Sequence, residues 1–146
     1  MEKEWPGYSG AVTVTFGTED SREVDFDLVT REIRDGVFVV GLTGEVDLYT
    51  APELKSELLR LVAEGPDRIV VDLSGATFVD STTLGVLLGA VKRLRTSGGE
   101  LVIVCSDLNI RRILSITLLD RAFTIYDTLD EALAAPAGVP VESPRV

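Results

Sequence analysis

Three consecutive hydroxyl side chains, Ser81, Thr82 and Thr83, follow Asp80 where an apolar strand pattern gives way to helical spacing. The run Ile69-Val70-Val71-Asp72-Leu73 leads towards them, and Leu84, Leu87, Leu88, Val91 and Leu94 recur behind them at helical intervals. Ser81 therefore stands at a helix mouth, where unpaired backbone N–H groups meet the positive end of the helix dipole. Two chemistries suit a serine there. Its hydroxyl oxygen can cap the helix by accepting from a backbone N–H. Alternatively the same oxygen can carry a phosphate, whose charge the helix N-terminus would tolerate. Phosphorylation would add about −1.5 to −2 charges beside Asp80, and that dense cluster would repel an acidic or closely packed partner surface. Local chemistry alone favours the cap.

Gly85 and Gly89 are four residues apart on the helix that Ser81 opens, off its leucine stripe. Glycine costs up to about 1 kcal/mol in a helix interior relative to alanine. Such a pair serves either close internal packing or a smooth face for a partner's backbone, and the sequence leaves both open. Asp47, three residues after Gly44, fits a turn that bonds its own backbone.

Other chemistry is poorly supplied. The chain has no histidine, which removes the usual general base and the common form of the Ser-His-Asp triad. Cys105 is the single cysteine and sits in the apolar run Leu101-Val102-Ile103-Val104-Cys105, where it reads as a small buried hydrophobe. No metal set, phosphate-cradling glycine loop or cofactor motif is expected.

The elements around Ser81 can be read from pattern. Val24 to Leu28 alternates as a strand, Asp35-Gly36 is a hairpin turn, and Val37 to Leu42 continues as the next strand. Thr50-Ala51-Pro52-Glu53 has the form of a capping box, opening a helix that buries Leu54, Leu58, Leu61 and Val62 before Gly65-Pro66. Arg68 to Leu73 is uniform enough to be a central strand covered on both faces. Ser97-Gly98-Gly99 closes the Ser81 helix, and Glu100 to Ser106 forms a strand. Asn109 is expected to cap a third helix reaching Leu118. Phe123 to Asp127 is a last strand, and Thr128-Leu129-Asp130-Glu131 is a second capping box before Ala132 to Ala135. The order β-β-α-β-α-β-α-β-α implies an α/β fold, a mixed sheet of about five strands with about four helices packed on it.

One domain suits 146 residues of 45% apolar content. Residues 1–24 read as a partly flexible extension in which Val12, Val14 and Phe16 could supply an edge strand. Residues 25–135 form the domain, and 136–146 a disordered tail. The net charge of −10 disfavours nucleic acid and anionic membrane surfaces, and it is compatible with a basic protein partner. No stretch reads as a signal peptide or a membrane span, so the expected location is cytoplasmic, without membrane insertion.

Taken together, the motifs resemble the STAS-domain anti-sigma factor antagonists. Asp80, Ser81, Thr82, Leu84 and Gly85 match the family's Asp-Ser-(Ser or Thr)-Gly-Leu-Gly signature, with Thr83 where glycine is usual. Leu42 to Asp47 followed by Thr50-Ala51 matches Leu-x-Gly-x-x-Asp…Thr-Ala, and Ser97 to Leu101 matches the loop into the next strand. The resemblance spans about residues 25–135. It implies a non-enzymatic partner-switching protein that binds an anti-sigma factor while unphosphorylated. That anti-sigma factor would itself be an ATP-dependent serine kinase that phosphorylates Ser81 and ends the complex, and a PP2C-type phosphatase would reset it. It places Asp47 near Ser81 and makes Asp47, Asp80, Thr82, Thr83, Gly85 and Gly89 candidate partner contacts. Thr83 would crowd the kinase cleft, so Thr83→Gly is expected to be phosphorylated at least as fast as the wild type. The alternative keeps the fold and makes the chain an accessory STAS subunit of a membrane lipid-transport or other complex, with Ser81 only a helix cap.

Overall fold

Alternation along the central strands divides the buried residues between two faces of one sheet. The computed structural model describes residues 12–14, 26–116 and 123–135, the first three by backbone alone. The strands are β1 (Val12–Val14), β2 (Phe26–Arg34), β3 (Val37–Val46), β4 (Arg68–Val79), β5 (Glu100–Val104) and β6 (Thr124–Tyr126). The helices are α1 (Ala51–Val62), α2 (Ser81–Thr96), α3 (Leu108–Ile116) and α4 (Leu129–Ala134). Strand order follows chain order, with β1–β2–β3 antiparallel and β3–β4–β5–β6 parallel. The sheet is thus mixed, as expected, and among the described residues it has six strands. Strand β1 is the edge strand that Val12 and Val14 could supply, paired with β2 through Val12–Thr30 and Val14–Leu28. The remaining residues of the 1–24 extension, the 136–146 tail and the stretch reaching Leu118 lie outside the described residues.

One face carries Leu28, Val40, Val71 and Ile103 against Leu54, Leu58 and Leu61 of α1, Leu84, Leu87 and Leu94 of α2, and Ile110 and Leu114 of α3. The other carries Val39, Val70, Val102 and Val104 against Ala132, Leu129 and Leu133 of α4. Residues 69–73 of β4 are buried on both sides, as their uniform pattern predicts. Cys105 is fully buried, and burial pushes its thiol above the ordinary value, so it stays protonated and unreactive at neutral pH.

Two polar anchors fix the helices. Arg68, 1% exposed, donates to Glu100 Oε2 at 2.6 Å and to the Ala132 and Ala135 carbonyls at 2.7 and 2.8 Å, which ties the end of α4 to β4. Glu57 of α1 accepts from the Thr30 hydroxyl at 2.6 Å and from Arg60 at 2.7 Å. Burial alone would raise the Glu57 carboxyl, but those hydrogen bonds outweigh it and hold the group below its usual range.

Two expected caps differ. Thr50 makes no side-chain cap; its hydroxyl instead donates to the Glu45 carbonyl at 3.1 Å and accepts from the Asp47 amide at 2.9 Å. The hydroxyl is spent on the loop before the helix. In α3 the capping side chain is Asp107, accepting from the amides of Asn109 and Ile110 at 2.8 and 3.1 Å, so Asn109 lies inside the helix. Thr128 does cap α4, accepting from Glu131 at 3.2 Å.

Candidate functional site

Parallel pairing of Val46 with Val79 brings the loops after β3 and β4 to the same end of the sheet. Ligand sites of open α/β sheets gather at this end of their strands. The β3–α1 loop is a rigid turn. Asp47 Oδ1 accepts from the amides of Tyr49 and Thr50 at 2.9 and 3.2 Å, the self-bonded aspartate turn its position suggests. The turn presents Leu48 and Tyr49 to solvent, 59% and 77% exposed.

The start of α2 is fastened to the end of β3. Asp80 has an extended backbone, and its carboxylate accepts from the Thr83 amide at 3.0 Å. Its own amide donates to the Val46 carbonyl at 3.3 Å, and its carbonyl accepts from Leu84 at 3.2 Å. Asp80 is therefore the N-cap, and Ser81 is the first residue within the helix. This corrects the reading of Ser81 as a cap. Two adjacent residues could have filled that role, and β3–β4 register, through Val46, selects the first.

Ser81 is left exposed, and its hydroxyl has no hydrogen-bond partner among the described residues. The amides of Ser81 and Thr82 open the first turn, where a helix offers unpaired donors to an anion. Replacing a capping hydroxyl would cost roughly 0.5–2 kcal/mol. At this exposed, unpartnered position Ser81→Ala should stay within about 0.5 kcal/mol of the wild type.

Thr83 turns the other way. It is fully buried, and its hydroxyl donates to the Val46 carbonyl at 2.9 Å and lies 3.2 Å from Asp80 Oδ1. The expectation that Thr83 touches a partner or crowds a kinase cleft is corrected here. Its side chain faces the core because its hydroxyl bridges α2 to β3, and no surface contact remains for it to make.

Thr82, Gly85 and Gly89 come together on the wall of a groove of about 330 Å³ between α1 and α2, lined also by Lys55, Leu58, Leu59, Val86, Ala90 and Arg93. A Cβ placed at Gly85 or Gly89 would meet nothing within 4 Å. Internal packing therefore does not demand either glycine. The two aspartates sit apart from this groove, at the sheet end. Sequence reasoning missed Lys55, Leu59 and Arg93, because their approach depends on how α1 lies against α2; the absence of any acidic residue from α2 was the available signal.

The chain can now be set beside known proteins. A STAS domain model matches residues 29–132. The anti-sigma-F factor antagonist RsfB of Mycobacterium tuberculosis is 32% identical over 114 residues, covering 77% of this chain and 93% of the relative. An anti-sigma F factor antagonist of Paenibacillus polymyxa is 30% identical over 106 residues, covering 72% and 91%. The crystal structure of an anti-sigma factor antagonist from Mycobacterium paratuberculosis superposes with a TM-score of 0.68 at 34% identity, covering 81% of this chain and 96% of that one. With that domain model spanning most of the chain and relatives of this identity along it, the chain belongs to the STAS-domain family of anti-sigma factor antagonists.

Proposed function

We propose that this protein is a cytoplasmic, non-enzymatic partner switch that binds an anti-sigma factor when unphosphorylated and is released by phosphorylation of Ser81. The observation that carries this is the freedom of the Ser81 hydroxyl, exposed on the first turn of α2 while Asp80 performs the capping. A residue relieved of structural duty can be modified without unfolding the helix it sits on. The accessory-subunit reading needs Ser81 as a cap and loses that support. Among the described residues, no helix is long and apolar enough to cross a membrane.

In this reading the anti-sigma factor is also the serine kinase, bringing ATP and its metal, and a PP2C-type phosphatase restores the free hydroxyl. This chain's part is recognition. The exposed Leu48 and Tyr49 turn held by Asp47, the Ser81–Thr82 step behind Asp80, and the Gly85–Gly89 face would meet the partner. A phosphate on Ser81 would add about −1.5 to −2 charges next to the Asp80 carboxylate and push that surface away. Wild-type protein should capture a small kinase-like ATPase in pull-down, and Ser81→Asp should not. Equal capture by both would remove Ser81 from the switch.

A further inference from the structure

The groove between α1 and α2 has a charge that runs against the rest of the molecule. The chain carries −10 overall. Helix α2 nevertheless holds Lys92, Arg93 and Arg95 with no carboxylate. Lys55 on the α1 wall and Arg93 on the α2 wall are both exposed, and neither stands in an ion pair among the described residues. Three other cations do stand in ion pairs: Arg60 with Glu57 and Glu64, Arg68 with Glu100, and Arg111 with Asp127.

Between those two cations the surface is apolar and low. Leu58 and Ala90 are buried beneath it, and Leu59 and Val86 border it. Gly85 and Gly89 lie one turn apart with open space above them. Glycines at this spacing let another backbone approach a helix closely, as in tightly packed helix pairs. An apolar strip with a smooth helical wall suits the apolar face of an amphipathic helix.

We infer that the α1–α2 groove receives an acidic amphipathic helix of a partner protein, its apolar stripe on Gly85 and Gly89 and its flanking carboxylates on Lys55 and Arg93. The sign of the partner is set by this groove and not by the net charge, which alone would have suggested a basic one. Thr82 lies at the groove and follows Ser81 directly. A phosphate there adds negative charge beside a negative ligand, so modification expels the helix by like-charge repulsion. This coupling rests on the Ser81 reading; the chemistry of the groove does not.

The test uses two synthetic amphipathic peptides of roughly five helical turns, one with leucine and glutamate faces and one with leucine and lysine faces. Each is titrated into the isotope-labelled full chain while the Gly85 and Gly89 amide resonances are followed. The glutamate peptide should shift both glycines, weaken as salt rises, and bind about tenfold less tightly to Lys55→Glu/Arg93→Glu. The lysine peptide should leave both glycines unmoved. Both substitutions are on exposed side chains, and a melting curve checks the fold. Should that variant unfold, Lys55→Gln/Arg93→Gln takes its place, with a smaller loss expected. Unmoved glycines with the glutamate peptide, or equal affinity for the charge-altered variant, would overturn the proposal. So would concentration-dependent shifts of the two glycines in the protein alone, which would give the groove to a second copy of this chain. A failed peptide titration leaves phosphorylation at Ser81 standing, whereas unchanged peptide affinity in Ser81→Asp overturns only the coupling.

Discussion

Gly89→Glu should weaken capture of the anti-sigma factor by about a hundredfold or more, in the range of a central interface residue, while the isolated chain folds normally. A side chain at this position enters open space, because nothing lies within 4 Å of its Cβ site. The longer side chain projects into the groove between α1 and α2 that the partner would occupy. Helix propensity also favours the change, since glycine is about 1 kcal/mol worse than alanine in a helix interior and glutamate is a good helix former. The companion variants Gly85→Ala and Gly89→Ala should therefore melt several degrees higher and still bind less well. Stability gained with binding lost is the pattern of a surface kept for function. Circular dichroism melting beside a binding titration checks it, and variants that melt early would return the glycines to internal packing.

Thr83→Gly should lose stability and should not be phosphorylated faster. Reasoned from sequence alone, this substitution removes an obstruction from a kinase cleft. In the fold, Thr83 is fully buried and its hydroxyl reaches the Val46 carbonyl at 2.9 Å. Thr83→Val, which keeps the volume and loses the hydroxyl, should cost about 1–3 kcal/mol for the buried hydrogen bond. Thr83→Gly adds a cavity and a flexible residue in the first turn, so its cost should be larger, about 2–4 kcal/mol. Chemical denaturation of both variants measures these values. A phosphorylation time course on Thr83→Gly under folding conditions should run no faster than wild type; faster modification with an unchanged melt would restore the obstruction.

The parts of the fold that the sequence made legible are those where one local signal had no competitor. Residues 69–73 are apolar without interruption and form the buried centre of the sheet. The leucines of α2 keep helical spacing and lie in the core, and Thr128 caps α4 as its motif suggests. Where two neighbours could perform one task, tertiary contacts decided. Asp80 and Ser81 are both good caps, and Val46 fixed the choice by accepting from the Asp80 amide and the Thr83 hydroxyl. Thr50 has a capping sequence, yet the Glu45 carbonyl holds its hydroxyl. The order of motifs placed Ser81 at the start of α2 and the two glycines along one side of it, which is where they lie. The cationic walls at Lys55 and Arg93 did not show, because they lie on different helices and only packing makes them face one groove.

Intact-mass measurement after incubation with the captured kinase and ATP tests the central claim most directly. The account predicts a gain of one phosphate on the wild-type chain, located by fragmentation at Ser81, and no gain on Ser81→Ala, which should still fold and bind. An unmodified wild type, or an undiminished gain on Ser81→Ala, would contradict it.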